Sequence, residues 1–143
     1  MSRFDMRLLC ISLLLLPLLA AAQGTCNSLP DDAALECLHK RQISLEKARG
    51  AKSEQLKKCV RDRLEDAPAA QIKAELDAFD AGEKLWRKQV EYNCRVHEIA
   101  FYDGSARQGE AARCENRETE LRTARLQELG RSFACFKAEG KTK

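Results

Sequence analysis

The sequence predicts an all-α domain, a disulfide-braced up-down-up three-helix bundle with a short N-terminal lead. Three observations carry this. Beyond the first two dozen residues, Ile and Val shrink to Ile43, Val60, Ile72, Val90, Val96 and Ile99, while the helix formers Ala, Leu, Glu, Lys, Arg and Gln dominate. Apolar residues recur in steps of three, four and seven along three long stretches, and no stretch alternates with a period of two. Six cysteines follow a segment with the features of an export leader.

That leader is residues 1–22, "MSRFDMRLLCISLLLLPLLAAA". Arg3 and Arg7 make a basic start, Leu8 to Leu19 is apolar, and Ala20-Ala21-Ala22 offers an A-x-A cleavage site, so the segment reads as a secretory signal peptide. About 12 helical residues reach only about 18 Å, short of a hydrocarbon core of about 30 Å. Pro17 further weakens a span. Neither Cys10, inside the run, nor Cys26, after Gln-Gly-Thr, sits where a lipid-anchored cysteine would. The expected mature product, residues 23–143, is roughly 120 residues long, enough for one domain. A formal net charge of +3 for the whole chain excludes a strong nucleic-acid footprint, which needs a clustered basic face.

The first helix is predicted to begin at "LPDDAAL", where Pro30, Asp31 and Asp32 suit a first turn. Its apolar side runs Leu35, Leu38, Leu45, Ala48, Leu56, Cys59 and Leu64, with Gly50 as a point for a kink or break. The stretch "EDAPAA" ends it, and Asp66 with Pro68 starts the second helix. Ile72, Leu76, Phe79, Trp86, Val90, Cys94, His97 and Phe101 lie on one face of that second helix. Gly104 is its expected stop. Ser105 and Gln108 form the S-x-x-Q of a capping box for the third helix, with Gly109 as a later alternative start. The third helix carries Cys114, Leu121, Leu129, Phe133 and Phe136, then dissolves into "EGKTK".

Short connections make neighbours antiparallel, up, down, up. Six cysteines allow fifteen pairings, but topology narrows them. Cys59 and Cys135 both fall late in upward helices, at one pole. Cys94 and Cys114 flank the Gly-Ser turn at the other, and Cys26 lies just before Cys37 at the start of the first helix. A disulfide needs α-carbons about 4.4 to 6.8 Å apart, so the expected pairs are Cys26–Cys37, Cys59–Cys135 and Cys94–Cys114. The turn "YDGSARQGEAARC" is then a reversal whose two arms are clamped. It serves either as a plain hairpin or as a presentation surface.

The stretch Trp86 to Leu126 resembles the lysozyme-inhibitor LprI-like family of small exported bacterial domains. Trp86 is followed eight residues later by Cys94, then by Gly104-Ser105, by Cys114, and by Thr119 and Arg122 on the last helix. "TCNSLPDDAALECL" resembles the family's opening cysteine pair. The chain departs from the pattern at Val90 and Glu91, where the family carries Arg-Asp, and at Asp103, where it carries a first glycine. The resemblance implies a helical domain, residues 23–143, that inhibits lysozyme without chemistry of its own. A rigid loop entering a cleft that holds two carboxylates suffices, and a preorganised loop loses less entropy on docking. The partner contacts implied are Tyr102, Asp103, Gly104, Ser105 and Arg107, with Ser105 or Arg107 bonding a cleft carboxylate. Trp86 is expected to anchor the core, and Thr119 and Arg122 to knit the third helix to its neighbours. Animal lysozymes are basic, so this chain would steer poorly towards them. Glu65, Asp66, Glu75, Asp77, Asp80 and Glu83, gathered near one pole, form a second expected docking face. The alternatives are a periplasmic protein-protein interaction module that binds another envelope protein, and a purely structural envelope domain.

Two rival chemistries fall short. Cys94 with His97 and Cys37 with His39 have ligand-like spacing, but export favours disulfides over zinc, so no metal or other cofactor is expected. Ser105 and His97 lack a third group and an oxyanion-hole motif, so no catalytic residue is expected and the chain reads as a non-enzyme.

Overall fold

A computed structural model describes residues 26–100 and 105–136. The expected signal peptide, Phe101, Tyr102, Asp103, Gly104 and the "EGKTK" tail lie outside the described residues. The described chain forms three helices and no strand, α1 (Asp31–Arg63), α2 (Ala69–Ala100) and α3 (Ser105–Ser132). No helix among the described residues is long and apolar enough to cross a membrane.

Helix α1 starts from Pro30, whose carbonyl accepts the Ala34 N–H at 2.7 Å. Asp31 and Asp32 in the first turn, and Arg61 and Arg63 in the last, complement the helix dipole. The break foreseen at Gly50 does not occur, and α1 runs on through it. The cooperative ladder of a helix this long absorbs one poor helix former at a cost of about 1 kcal/mol. The link to α2 is tight, with the Ala67 N–H on the Leu64 carbonyl at 2.8 Å and the Gln71 N–H on the Pro68 carbonyl at 2.8 Å.

The order is up, down, up, with α3 in the middle. It packs most extensively on α1, then on α2, while α1 and α2 touch least. The α1–α3 pair is parallel and in steady register. Leu38 meets Asn116, Arg41 meets Glu120, Gln42 meets Thr119 and Cys59 meets Cys135, at sequence separations of 76 to 79. Helix α2 runs against both, joined at Glu98–Arg107, Cys94–Cys114 and Glu83–Arg122 to α3, and at Lys57–Asp80 to α1.

The three cystines are Cys26–Cys37, Cys59–Cys135 and Cys94–Cys114, with α-carbons 5.6, 5.6 and 5.5 Å apart. The first and the third stand inside the core rather than beside it. One cluster is Cys26, Leu38 and Ala112, with Leu35 and Cys37 against it, and the other is Val90, Cys94 and Cys114, with Trp86 against it. So thin an apolar core gains about 2 to 4 kcal/mol from each cross-link.

Four expected core positions are exposed. Ala48 is exposed and its neighbour Arg49 is buried in its place. Leu121 is 58 % exposed and Leu126 fills the core. Phe133 is exposed because α3 ends at Ser132. That end is a Schellman closure. The Ala134 N–H bonds the Arg131 carbonyl at 2.9 Å and the Cys135 N–H bonds the Gly130 carbonyl at 2.7 Å. Ala134 takes φ 52°, a left-handed angle that glycine usually supplies. The hook aims Cys135 at Cys59 and lays the Phe136 ring on Gly130, where no side chain stands in the way. His97, placed on the apolar stripe of α2 by its spacing, is exposed.

Candidate functional site

Two features bear on function, the clamped reversal between α2 and α3 and the polar interior it adjoins. At the reversal, Cys94 and Cys114 are both buried and bonded, with Val90 and Trp86 packed over them. One turn further out, Arg107 Nε donates to Glu98 Oε1 at 2.9 Å, a second tie between the same two arms. Cystine and ion pair together fix where α2 ends and α3 begins.

Among the expected partner contacts, Ser105 and Arg107 belong to helix α3 rather than to a free loop. The Arg107 guanidinium is half-exposed and already engaged with Glu98, so it braces the arms while presenting its remaining donors. Tyr102, Asp103 and Gly104 lie outside the described residues.

The polar interior is organised by Glu83. Its carboxylate accepts from Arg49 on α1, and from Arg122 on α3 through Nε at 2.8 Å and through Nη2. Arg49 also donates from Nε and Nη2 to Glu46 Oε2, at 3.2 and 3.1 Å, and Arg87 Nη2 reaches the same oxygen at 3.0 Å. The network thus ties all three helices. Both inner guanidiniums face Trp86, with Arg49 5.1 Å and Arg122 5.9 Å from the ring centroid, a cation–π arrangement that offsets part of their desolvation. Trp86 is therefore the floor of a charged layer as well as a neighbour of the apolar cluster.

Below it, Thr119 is fully buried, donating from Oγ1 to the Glu115 carbonyl at 2.8 Å and accepting from Gln42 Nε2 at 3.4 Å. Asn116, also buried, donates to the Leu38 carbonyl at 3.2 Å. Thr119 and Arg122 join α3 to α1 and to α2 respectively. Arg49 and Asn116 complete the interior without having been singled out from the sequence, and Glu83, expected on the acidic docking face, belongs to the interior instead. A signal for Glu83 was present, because the stripe of α2 steps seven residues from Phe79 to Trp86 and Glu83 occupies the missing position on that face.

The acidic pole is less acidic at its surface than its composition implies. Glu83 is inside, and Asp80 and Asp77 pair with Lys57 and Lys73. Glu65, Asp66 and Glu75 remain exposed. Hydrogen bonds that the Lys57 ammonium donates to Glu54, then to Asp80, hold its pKa above the ordinary range. Near the opposite pole an open cleft of about 380 Å³ is lined by Asn27, Arg41, His97, Glu110, Arg113 and Asn116, among others. Its charged groups largely satisfy one another, with Arg41 on Glu120 and Arg113 on Glu110 and Asn27.

Cys37 and Cys94 are in cystines, so the C-x-H and C-x-x-H spacings hold no thiolate for a metal. No cluster of His, Cys, Asp and Glu suited to a metal occurs among the described residues. No family model, curated protein or solved structure gives a significant match to the chain.

Proposed function

We propose that the protein is an exported, non-catalytic binding module that blocks a lysozyme cleft with the segment Tyr102–Arg107. The observation that carries this reading is the doubly tied reversal, with Cys94 bonded to Cys114 and Arg107 held on Glu98. A segment whose ends are fixed loses little entropy on docking, so a few contacts suffice for useful affinity. Export accords with three intramolecular cystines, which persist in oxidising compartments. The lysozyme target rests on the sequence resemblance of Trp86 to Leu126.

The test is lysis of bacterial cells by lysozyme, followed as loss of turbidity, with the purified oxidised protein added. Protection at near-equimolar protein is expected, and it should disappear when residues 102–107 are replaced by Gly and Ser. Undiminished lysis at several-fold molar excess removes the lysozyme reading. Capture of a different envelope protein that depends on the same residues would redirect it to another partner.

A further inference from the structure

Helix α2 is apolar on two opposite faces, and only one is covered. The inner face carries Ile72, Leu76, Phe79, Trp86, Val90 and Cys94 towards the bundle. On the outer face, Leu85, Tyr92, Val96 and Ile99 are 68, 70, 51 and 59 % exposed. Their spacing of seven, four and three sets them in one stripe. Ala78 and Ala81, also exposed, continue it towards the N-terminus. One face is accounted for by the fold, and the other is left uncovered by the described residues.

We infer that this stripe is a homodimer surface, on which α2 of one copy packs antiparallel against α2 of a second. Self-complementarity is the argument. A twofold axis crossing α2 between Lys88 and Gln89 sets Leu85 opposite the second copy's Tyr92. The same axis sets Ala81 opposite Val96, and Ala78 opposite Ile99. Each large side chain of the distal half meets a small or aliphatic one of the proximal half, the pattern that lets two helices approach closely.

The charges follow the same axis. Along one edge of the stripe lie Asp77, Lys84, Lys88, Glu91 and Arg95. In an antiparallel twofold pair this edge meets itself. Lys84 and Lys88 then face the second copy's Glu91. Lys84, Lys88, Glu91 and Arg95 have no ion-pair partner among the described residues, so these charges are available. In a parallel pair this edge would instead meet the opposite edge of the stripe, Gly82, Gln89 and Asn93, which carries no charge to answer it. The edge is also of mixed sign, which suits a protein partner of the same pattern better than an anionic lipid surface.

The size sets the strength. The stripe from Ala78 to Ile99 is roughly 33 Å long and about 10 Å wide, so each copy covers on the order of 300 Å² and the pair falls below the about 1,000 Å² of a stable interface, in the range of weak, transient ones. A weak dimer with a dissociation constant of roughly 10 to 100 μM is expected. The surface includes none of residues 102–107 and stands or falls independently of the lysozyme reading.

Sedimentation equilibrium of the oxidised protein from about 1 to 500 μM tests it. The expected result is a monomer–dimer equilibrium in that range. Leu85→Lys with Tyr92→Lys should leave only monomer, with helical content and cystines unchanged because both side chains point outward. Lys84→Glu alone should weaken the dimer roughly tenfold, since two symmetry-related pairs turn repulsive. Adding Lys88→Glu and Glu91→Lys, which reverses every charge of the cluster, should restore it. A chain that stays monomeric throughout overturns the proposal. So does a dimer indifferent to the Leu85/Tyr92 change, or one whose charge reversal is not rescued by the other two.

Discussion

Glu83→Gln isolates the charged layer. The substitution preserves shape and one acceptor oxygen but removes the negative charge that Arg49 and Arg122 share. Arg49 is 8 % exposed, and Glu46 offers it partial compensation. Arg122 is left without a counter-charge beside the same indole ring. Breaking a fully buried pair costs about 3 to 5 kcal/mol. The slight exposure of these groups and the remaining Glu46 contact bring the expected loss to about 2 to 4 kcal/mol. For a domain of this size that corresponds to a drop in Tm of roughly 8 to 15 °C. Urea unfolding followed by far-ultraviolet circular dichroism, in oxidising buffer, measures it. The triple change Arg49→Met, Glu83→Leu and Arg122→Met should recover most of the loss, because a neutral layer of similar volume no longer strands a charge. A Glu83→Gln protein within about 0.5 kcal/mol of the parent, well under the expected loss, would refute the claim that this carboxylate holds the layer together.

Gly50→Ala should stabilise the protein by about 1 kcal/mol, read as a rise in urea midpoint, because a methyl there meets nothing within 4 Å and the helix gains propensity. The two changes at the end of α3 should act in opposite directions in the same assay. Ala134→Gly should gain about 1 kcal/mol by relieving the left-handed residue. Gly130→Ala should destabilise, since its methyl would lie 2.0 Å from the Phe136 ring and must expel it. Lys57, whose folded pKa is raised above 10.5, contributes stability fully below that value and loses it as pH rises through the higher folded value. The difference in Tm between the parent and Lys57→Met should therefore be present at pH 8 and shrink above pH 10.5.

The fold was legible because its determinants are local and periodic. Composition named the helices, Pro68 and Ser105 marked where the second and third begin, and short links left one arrangement that brings each cysteine within reach of its partner. What escaped is polar and interior. A period reading assigns charges to the solvent side, so Arg49 was passed over for Ala48, and Glu83 was counted with the acidic surface although it sits on the inward stripe. Burial of Arg49 and Glu83 depends on each having the other, a fact of tertiary pairing that no single helix displays. The hook after Ser132 was hidden for a related reason. Ala134 carries no sign of a left-handed turn, and the geometry is imposed by the bond between Cys135 and Cys59. The second apolar face of α2 was visible in the spacing of Leu85, Tyr92, Val96 and Ile99, but only the covered face shows which of the two serves the bundle.

The Cys59–Cys135 bond encloses both interhelical connections. A protease that severs the chain once, anywhere between those two residues, therefore leaves its products covalently tethered, and at the α1–α2 link the fragments remain held in register by the packed helices. Such a nicked molecule runs as one band until it is reduced. Wherever hydrolases are abundant, a cleavage that would dismantle an uncrosslinked bundle leaves this one assembled.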